Sequence, residues 1–318
     1  VKLFKQDYHR IAGLSALMLI SALLFLFMDI QGSLSYALPR RFWMLMTIMI
    51  VGISSGIATL LFHTITHNRI LTPAVMGFES LYILIKTALV FWLGSSFNWF
   101  GSTILKFAVE SSIMLGFVLM LYRGLFQKTE DLHRLLLIGI IFGVLFASIS
   151  TLLQRILEPA EFDILQGRLF AKLTLPDPSL ILLCLGLMSV LIGITWRQRY
   201  LFDVIALGRT QALSLGIDHS KAVTKILILV SVFVAISTAL IGPLTFLGFL
   251  AATLAYQLTH NHKHYLLIPM AGLLGCIFLV AGQVILEHLM GMAGALTIVI
   301  EFIGGILFLT LLMKKGRL

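Results

Sequence analysis

Two groups of histidines stand at spacings that could hold a metal ion. His63 and His67 are four residues apart and would share one face of a helix, and His260, His262 and His264 alternate along a short stretch. Neither group has a carboxylate or a cysteine at ligand spacing. Both fall where an apolar run gives way to polar residues, a place where histidine equally serves as a polar tip at a membrane interface. A second group of reactive side chains lies inside apolar runs. Lys106 and Glu110 are four apart and are expected to pair on one helical face. Glu79, Lys86 and Glu301 lack such a local partner. An ionisable group in such a run faces a bundle interior or a wet cavity, so these three either pair with other helices or line a path. Glu79 and Lys86, seven apart, share roughly one face. The phosphate loop GxxxxGK[ST] does not occur, nor do GxSxG and HExxH, so the chain is not expected to hydrolyse nucleotide itself.

Composition decides what positions these groups. The chain has 318 residues, 59% hydrophobic and only 12% charged, about half the charge of a soluble domain. Apolar runs near twenty residues that do not alternate, such as "ILILVSVFVAISTALI", imply membrane-spanning helices rather than barrel strands. Breaks at Gly, Pro and charge clusters place ten spans near 11–30, 42–63, 74–93, 103–122, 135–157, 179–196, 226–241, 244–258, 266–288 and 295–313. The Gly242-Pro243 break separates the seventh and eighth; one kinked helix over 226–258 is the nine-span alternative. The first run has no small-residue cleavage site after it and reads as a retained span. The net charge of +9 is spread over short loops, with no basic aromatic face for nucleic acid. Cys184 and Cys276 sit inside apolar runs and read as packing residues.

With an inner N-terminus, the inner segments hold Lys2, Lys5, Arg10, Arg69, Arg123, Lys128, Arg134, Arg197, Arg199, Arg209, Lys221, Lys225, Lys263, Lys314, Lys315 and Arg317. The outer loops hold Arg40, Arg41, Arg168 and Lys172, so the positive-inside rule favours ten spans with both termini cytoplasmic. No folded soluble domain fits in the loops, and 1–318 reads as one transmembrane domain. "ATLLFHTITHN" (58–68) and "AATLAYQLTHN" (251–261) match at five of eleven positions, either by chance or as an internal repeat. In the fifth span Gly139, Gly143, Ala147 and Thr151 recur every four residues, a small-residue stripe that suits packing within the subunit, a subunit interface or a pathway wall; Gln154 and Arg155 continue it outward. The longest inner segment, about 197–225, carries short helical pieces, with Asp203 able to cap one start and Gly208 and Gly216 ending pieces. It reads as a surface connector or as a dock for a cytoplasmic partner.

Several strings resemble one family. "LPRRFW", "HNRILTPAVMGFESLY", "ALGRTQALSLGID", "GPLTFLGFLAATLAYQ" and the closing "GALTIVIEFIGGILFLTLLMKKGR" follow, in order, the pattern of the FecCD family. These are the permease subunits of ABC importers for ferric siderophores, haem and cobalamin. Ala37 stands where the family's "RLPR" begins with arginine, "NRILTP" replaces "NPLA-P", and Ala252, Thr253 and Tyr256 replace the family's Pro, His and Arg. The forms present are most similar to the branch for ferric catecholate siderophores. The resemblance implies an all-α ABC type II importer permease of about ten transmembrane helices in the bacterial inner membrane. Implied partners are a second permease subunit, identical or homologous, two cytoplasmic ATPases that bind ATP-Mg, and an outer substrate-binding protein. This chain would bind no cofactor of its own.

Carried residue by residue, the resemblance makes Asp203, Gly208, Arg209, Ala212, Leu215 and Gly216 the ATPase-coupling positions and Arg40, with the extra Arg41, the dock for the binding protein; the alternative for the two arginines is that they anchor a span end. Gly139, Gly143, Ala147, Thr151, Gln154 and Lys86 are candidates for a pathway or subunit interface. The expected function is ATP-driven import of ferric siderophore. An ion-gradient transporter using Glu79 and Glu301, or a membrane-embedded enzyme using the histidines, are the rival readings.

Overall fold

The structure, a computed structural model, describes residues 2–28, 33–94, 102–121, 132–169, 177–291 and 295–315. Of the loop charges counted above, Arg123, Lys128, Lys172 and Arg317 lie outside the described residues. Within them every regular element is helical. The helices are α1 (Lys2–Phe27), α2 (Leu34–Thr66), a single tight turn at Pro73–Met76, α3 (Phe78–Leu93), α4 (Thr103–Leu121), α5 (Leu132–Ile156), α6 (Pro159–Leu169) and α7 (Pro178–Arg197). After them come α8 (Arg199–Ile205), α9 (Arg209–Ser214), α10 (His219–Ile241), α11 (Thr245–Leu258), α12 (His264–Val284), continued by a wide turn to Leu289, and α13 (Leu296–Lys315).

Each of the ten expected spans has its own helix. Six helices are long and apolar enough to cross a bilayer, and α11 and the Leu296–Thr310 part of α13 are shorter apolar pieces. The chain is thus embedded in a membrane. Gly242, at φ 109°, ends α10, and α11 begins at Thr245, so the single kinked helix is replaced by two. The third span departs from expectation. Its first residues form the Pro73–Met76 turn, and Gly77 at φ 82° starts a helix of 16 residues, about 24 Å, too short for a hydrocarbon core of about 30 Å. That turn lies beside Ser55, Ala58 and Thr59 of α2. The chain therefore folds back about 10–16 Å along α2 before α3 begins. Helix α6 was not expected; Pro159 and Glu161 in its first turn suit a helix start.

Helix α2 is the axis of the bundle. Its apolar window is 83% buried, against 11% for α1 and 17% for α5. It packs along α10, α11 and α12. In lipid there is little hydrophobic drive between helices, and close association needs backbones that can approach. Gly52 and Gly275 provide it: a Cβ on Gly52 would stand 2.5 Å from the Cys276 nitrogen, and one on Gly275 would overlap the Gly52 carbonyl. Gly56 meets the Ala271 carbonyl, and Gly248 of α11 meets Ser55 and Thr59 in the same way. The faces of α1, α5 and α13 left outside this packing carry Leu19, Leu23, Ile141, Val144, Leu152 and Phe302, each more than half exposed, as suits lipid or another subunit.

Gly275→Leu should overpack the α2–α12 contact and lower stability by about 1–3 kcal/mol. Gly186→Leu on α7, where a Cβ meets nothing within 4 Å, is the control. Thermal unfolding of the detergent-purified chain should separate the two; equal midpoints would remove the role given to the glycines.

Candidate functional site

The segment between α7 and α10 is built from local signals. Phe202 and Ile205 of α8 are fully buried, as is Ala212 of α9. Gly208, at φ 100°, joins the two helices. Gly216, at φ 77°, ends α9: its N–H donates to the Leu213 carbonyl and the Ile217 N–H to the Ala212 carbonyl, the paired bonds of a glycine-terminated helix. Asp218 then caps α10, accepting from the Lys221 N–H at 3.1 Å. With Phe202, Ile205 and Ala212 turned inward, Leu207, Leu213 and Leu215 are 58%, 53% and 62% exposed. Apolar side chains clustered on one short segment suit a protein partner. Ala212 anchors this surface from beneath rather than forming part of it. Leu207 and Leu213 belong to it, although the sequence pattern did not single them out.

Asp203 does not cap its own helix. Its Oδ1 accepts from the backbone N–H of His264, at 2.8 Å, and pairs with His264 Nδ1 at 2.7 Å, so it caps α12 from a distance of 61 residues in sequence. The Thr64 hydroxyl donates to the Leu60 carbonyl at 3.0 Å and lies 2.8 Å from His264 Nε2. Both ring nitrogens of His264 are therefore engaged, Nδ1 with Asp203 and Nε2 with Thr64. Phe202 packs edge-on against the ring. Burial pushes the Asp203 carboxyl up, but the hydrogen bonds and charge of His264, aided by the Lys263 charge, outweigh it and hold the group below the usual carboxylate range. One side chain therefore links α8 to α12 and, through Thr64, to α2. The same end of the bundle ties in α1: Asp7 accepts from the His260 N–H at 3.2 Å, and Arg10 donates to the Leu258 carbonyl at 2.5 Å.

The histidines do not form a metal-holding set among the described residues. His63 is buried and stacks on Tyr256, at 6.2 Å between ring centres, His67 and His262 are exposed, and His264 belongs to the Asp203 link. Among the described residues, no three His, Cys, Asp or Glu side chains are placed to hold a metal ion. His63 and Tyr256 occupy equivalent places in the two echoing stretches. Thr66 and Thr259, also equivalent, each donate back to the carbonyl four residues earlier.

The opposite end is clamped by Arg41. It donates to the Phe25 carbonyl at 3.0 Å, to the Met28 carbonyl at 2.5 Å and to Glu287 at 2.8 Å, joining α1, α2 and the end of α12. Arg41 is thus occupied within the chain, whereas Arg40 is exposed. Inside the bundle, Lys86 pairs with Glu110 of α4 at 2.5 Å, so Glu110 serves α3 and not Lys106 as expected. Lys86 also lies 5.1 Å from the Tyr82 ring centre. Glu79 accepts from Thr245 at 2.6 Å, bringing together the two places where helices break. In the small-residue stripe, Gly139 and Gly143 pack on Met76 and Gly77, within the subunit. Gln154 donates to Thr87 of α3 at 3.1 Å, while Ala147 and Thr151 remain exposed. The stripe thus divides into an internal seam and an open part.

A family model described as the FecCD transport family matches residues 19–314. The chain is 38% identical to the petrobactin import system permease protein YclO of Bacillus subtilis, over 98% of this chain and 99% of that protein. It is 36% identical to the petrobactin import system permease protein FatC of Bacillus anthracis, over 88% of this chain and 79% of that protein. A solved metal-chelate type ABC transporter in an inward-facing conformation has the same fold, with a TM-score of 0.85, 21% identity, and 97% and 99% of the two chains covered.

Lys86→Met would strand the Glu110 carboxylate, 2% exposed, and should cost about 3–5 kcal/mol. Lys86→Met with Glu110→Leu should recover most of that loss, because both charges are then gone. Unfolding midpoints of the two single variants and the double variant give the coupling directly; purely additive losses would mean that the pair is not a unit.

Proposed function

The chain belongs to the FecCD transport family, and from that premise we propose that it is the membrane-spanning permease subunit of an ATP-driven importer of ferric siderophore, of the catecholate class, in the bacterial inner membrane. The two rival readings, an ion-driven carrier and a membrane-embedded enzyme, give way to the family assignment: the chain is a permease and not itself an enzyme. The petrobactin permeases at 38% and 36% identity support a siderophore as the cargo.

The observation that carries the mechanism is the α8–α9 segment. It presents Leu207, Leu213 and Leu215 outward on a buried footing of Phe202, Ile205 and Ala212. In this reading it faces the cytoplasm, seats in a groove on an ATPase subunit that holds ATP-Mg, and moves when two such ATPases close. The Asp203–His264–Thr64 link then carries that movement to α12 and α2, the two helices with the closest contact. The region about 197–225 is the coupling segment of a single transmembrane domain, 1–318. Both termini are cytoplasmic, on the charge distribution given above.

A second permease subunit, identical or homologous, would cover the open part of the α5 stripe at Ala147 and Thr151. Gly139, Gly143, Gln154 and Lys86 would hold that wall in place from within. On the outer side, Arg40 would meet acidic residues of a substrate-binding protein, with Arg41 fixing the helix end that presents it. The chain itself would need no cofactor.

The test is co-purification. The tagged chain, expressed with its partners, should bring an ATPase subunit through detergent extraction, and Leu213→Asp with Leu215→Asp should lose that subunit while the chain still inserts. A chain that transports with no ATPase bound would overturn the reading. Gly208→Pro, which cannot adopt φ 100°, should abolish uptake at normal insertion; undiminished uptake would count against the coupling role.

Asp203 adds a pH dependence. Its folded pKa is depressed, so its link contributes fully above the unfolded carboxylate value of about 3.9 and is lost as pH falls through the folded value. Between pH 6 and 8 the link should therefore not limit stability through Asp203. Asp203→Asn should lower the unfolding midpoint there and remove the acid-side loss; an unchanged acid limb would place that loss elsewhere.

A further inference from the structure

A cavity of about 590 Å³ opens beside the Asp203–His264 link, between the end of α2, α8 and the loop before α12. That is the size of a small-molecule site. Its buried wall includes the edge of His63, 3% exposed, whose two ring nitrogens have no surface open to the space. The Leu71 backbone lies near this ring without forming a hydrogen bond of good geometry. Tyr256 stacks on His63, and the Arg69 guanidinium covers the other part of that ring system, 4.3 Å from the Tyr256 centre. His67, His262 and Lys263 complete the opening.

The charges here do not balance. Neither Arg69 nor Lys263 forms an ion pair among the described residues. The one carboxylate in the lining, Asp203, is already held by His264. The N-terminal end of α12 borders the same space through Lys263 and His264, with Asp203 already capping it. A concave site with two unpaired cations, Arg69 and Lys263, and its one carboxylate already engaged is complementary to a phosphate-bearing ligand. Arg69 is suited to grip it with two parallel N–H bonds, because its flat face is already fixed on Tyr256.

We infer that this cavity is a phosphate-binding site, bordered on one side by Leu207 of the leucine surface. The same chemistry could come from a free phosphate compound or from a lipid headgroup. The inference concerns binding to the chain, so it stands or falls independently of whether siderophore is the cargo. Only its cytoplasmic side rests on the orientation proposed above.

The purified complex, in nanodiscs of phosphatidylcholine alone, is titrated with pyrophosphate against chloride at equal ionic strength, and the unfolding midpoint is followed. A saturable rise is expected. Arg69→Gln should weaken the apparent affinity ~10-fold or more, the loss expected for one charge-assisted hydrogen bond. Lys263→Gln, at a separate exposed position, should weaken it as well, while Arg69→Lys should retain part of it. If pyrophosphate is silent but phosphatidylglycerol nanodiscs give a rise that Arg69→Gln removes, the site belongs to a headgroup. No saturable rise from either, or a rise that both glutamine variants leave unchanged, overturns the inference.

Discussion

Everything in this fold depends on how closely other backbones can come to α2. A helix surrounded by its own chain in a membrane gains little from apolar burial, since lipid would cover it equally well. What holds it is contact at van der Waals distance, and Gly52, Gly56, Gly248 and Gly275 are the positions that permit it. The consequence extends beyond packing. The α2–α12 crossing sets the distance between Thr64 and His264 at the end of the bundle, and His264 in turn fixes Asp203 and α8. A side chain on Gly275 would thus disturb a segment far from it in sequence and in space, because the hydrogen-bonded link has no slack to absorb a shift.

The same constraint explains where the chain is allowed to break. Backbone groups freed by an interrupted helix must be satisfied inside the protein. The breaks at Pro73–Gly77 and Gly242–Leu244 come together beside α2, where Glu79 accepts from Thr245 and Ser55 bonds Ser237 at 2.8 Å. Gly77 and Gly242 donate to the Ala74 and Thr238 carbonyls, which satisfies one backbone N–H at each break. The apolar seam of Gly139 and Gly143 seals the outer side of the first break. These glycines, which from their spacing suit an interface between subunits, are covered instead by a turn of their own chain.

Local signals in the sequence were legible, and distant partners were not. Apolar run length and Gly/Pro breaks placed ten helices, and the positive-φ glycines at 208 and 216 stand where the sequence pattern ends the short helical pieces between α7 and α10. The re-entrant Pro73 turn was hidden because an apolar run reads the same whether it crosses a membrane or half of one. Lys86 offered no local partner, and its pairing with Glu110 depends on α3 and α4 lying side by side. Lys106, one turn from Glu110, satisfied the helical spacing rule, but the carboxylate is taken by Lys86 of α3. Asp203 looked like a cap and is one, though for α12. Capping chemistry is written in the residue, and the helix it serves is decided by tertiary contact.

The two ends of the bundle are tied in different ways, and the difference bears on which end can move. At the Arg41 end one guanidinium bonds two carbonyls and a carboxylate, drawing α1, α2 and α12 together through several directional contacts at once. Displacing any one of these helices breaks bonds to the others. At the opposite end, α8 and α9 are held by a compact apolar footing and by Asp203, attached to a ring that both α2 and α12 share. Such a segment can travel as a unit with the end of α12 while keeping its internal hydrogen bonds. Because the footing is apolar and non-directional, small sliding costs little there, whereas the Asp203–His264 bond resists separation. In the proposed coupling role, force applied to the exposed leucines would pass to α12 through this bond, with the Arg41 end as the fixed point.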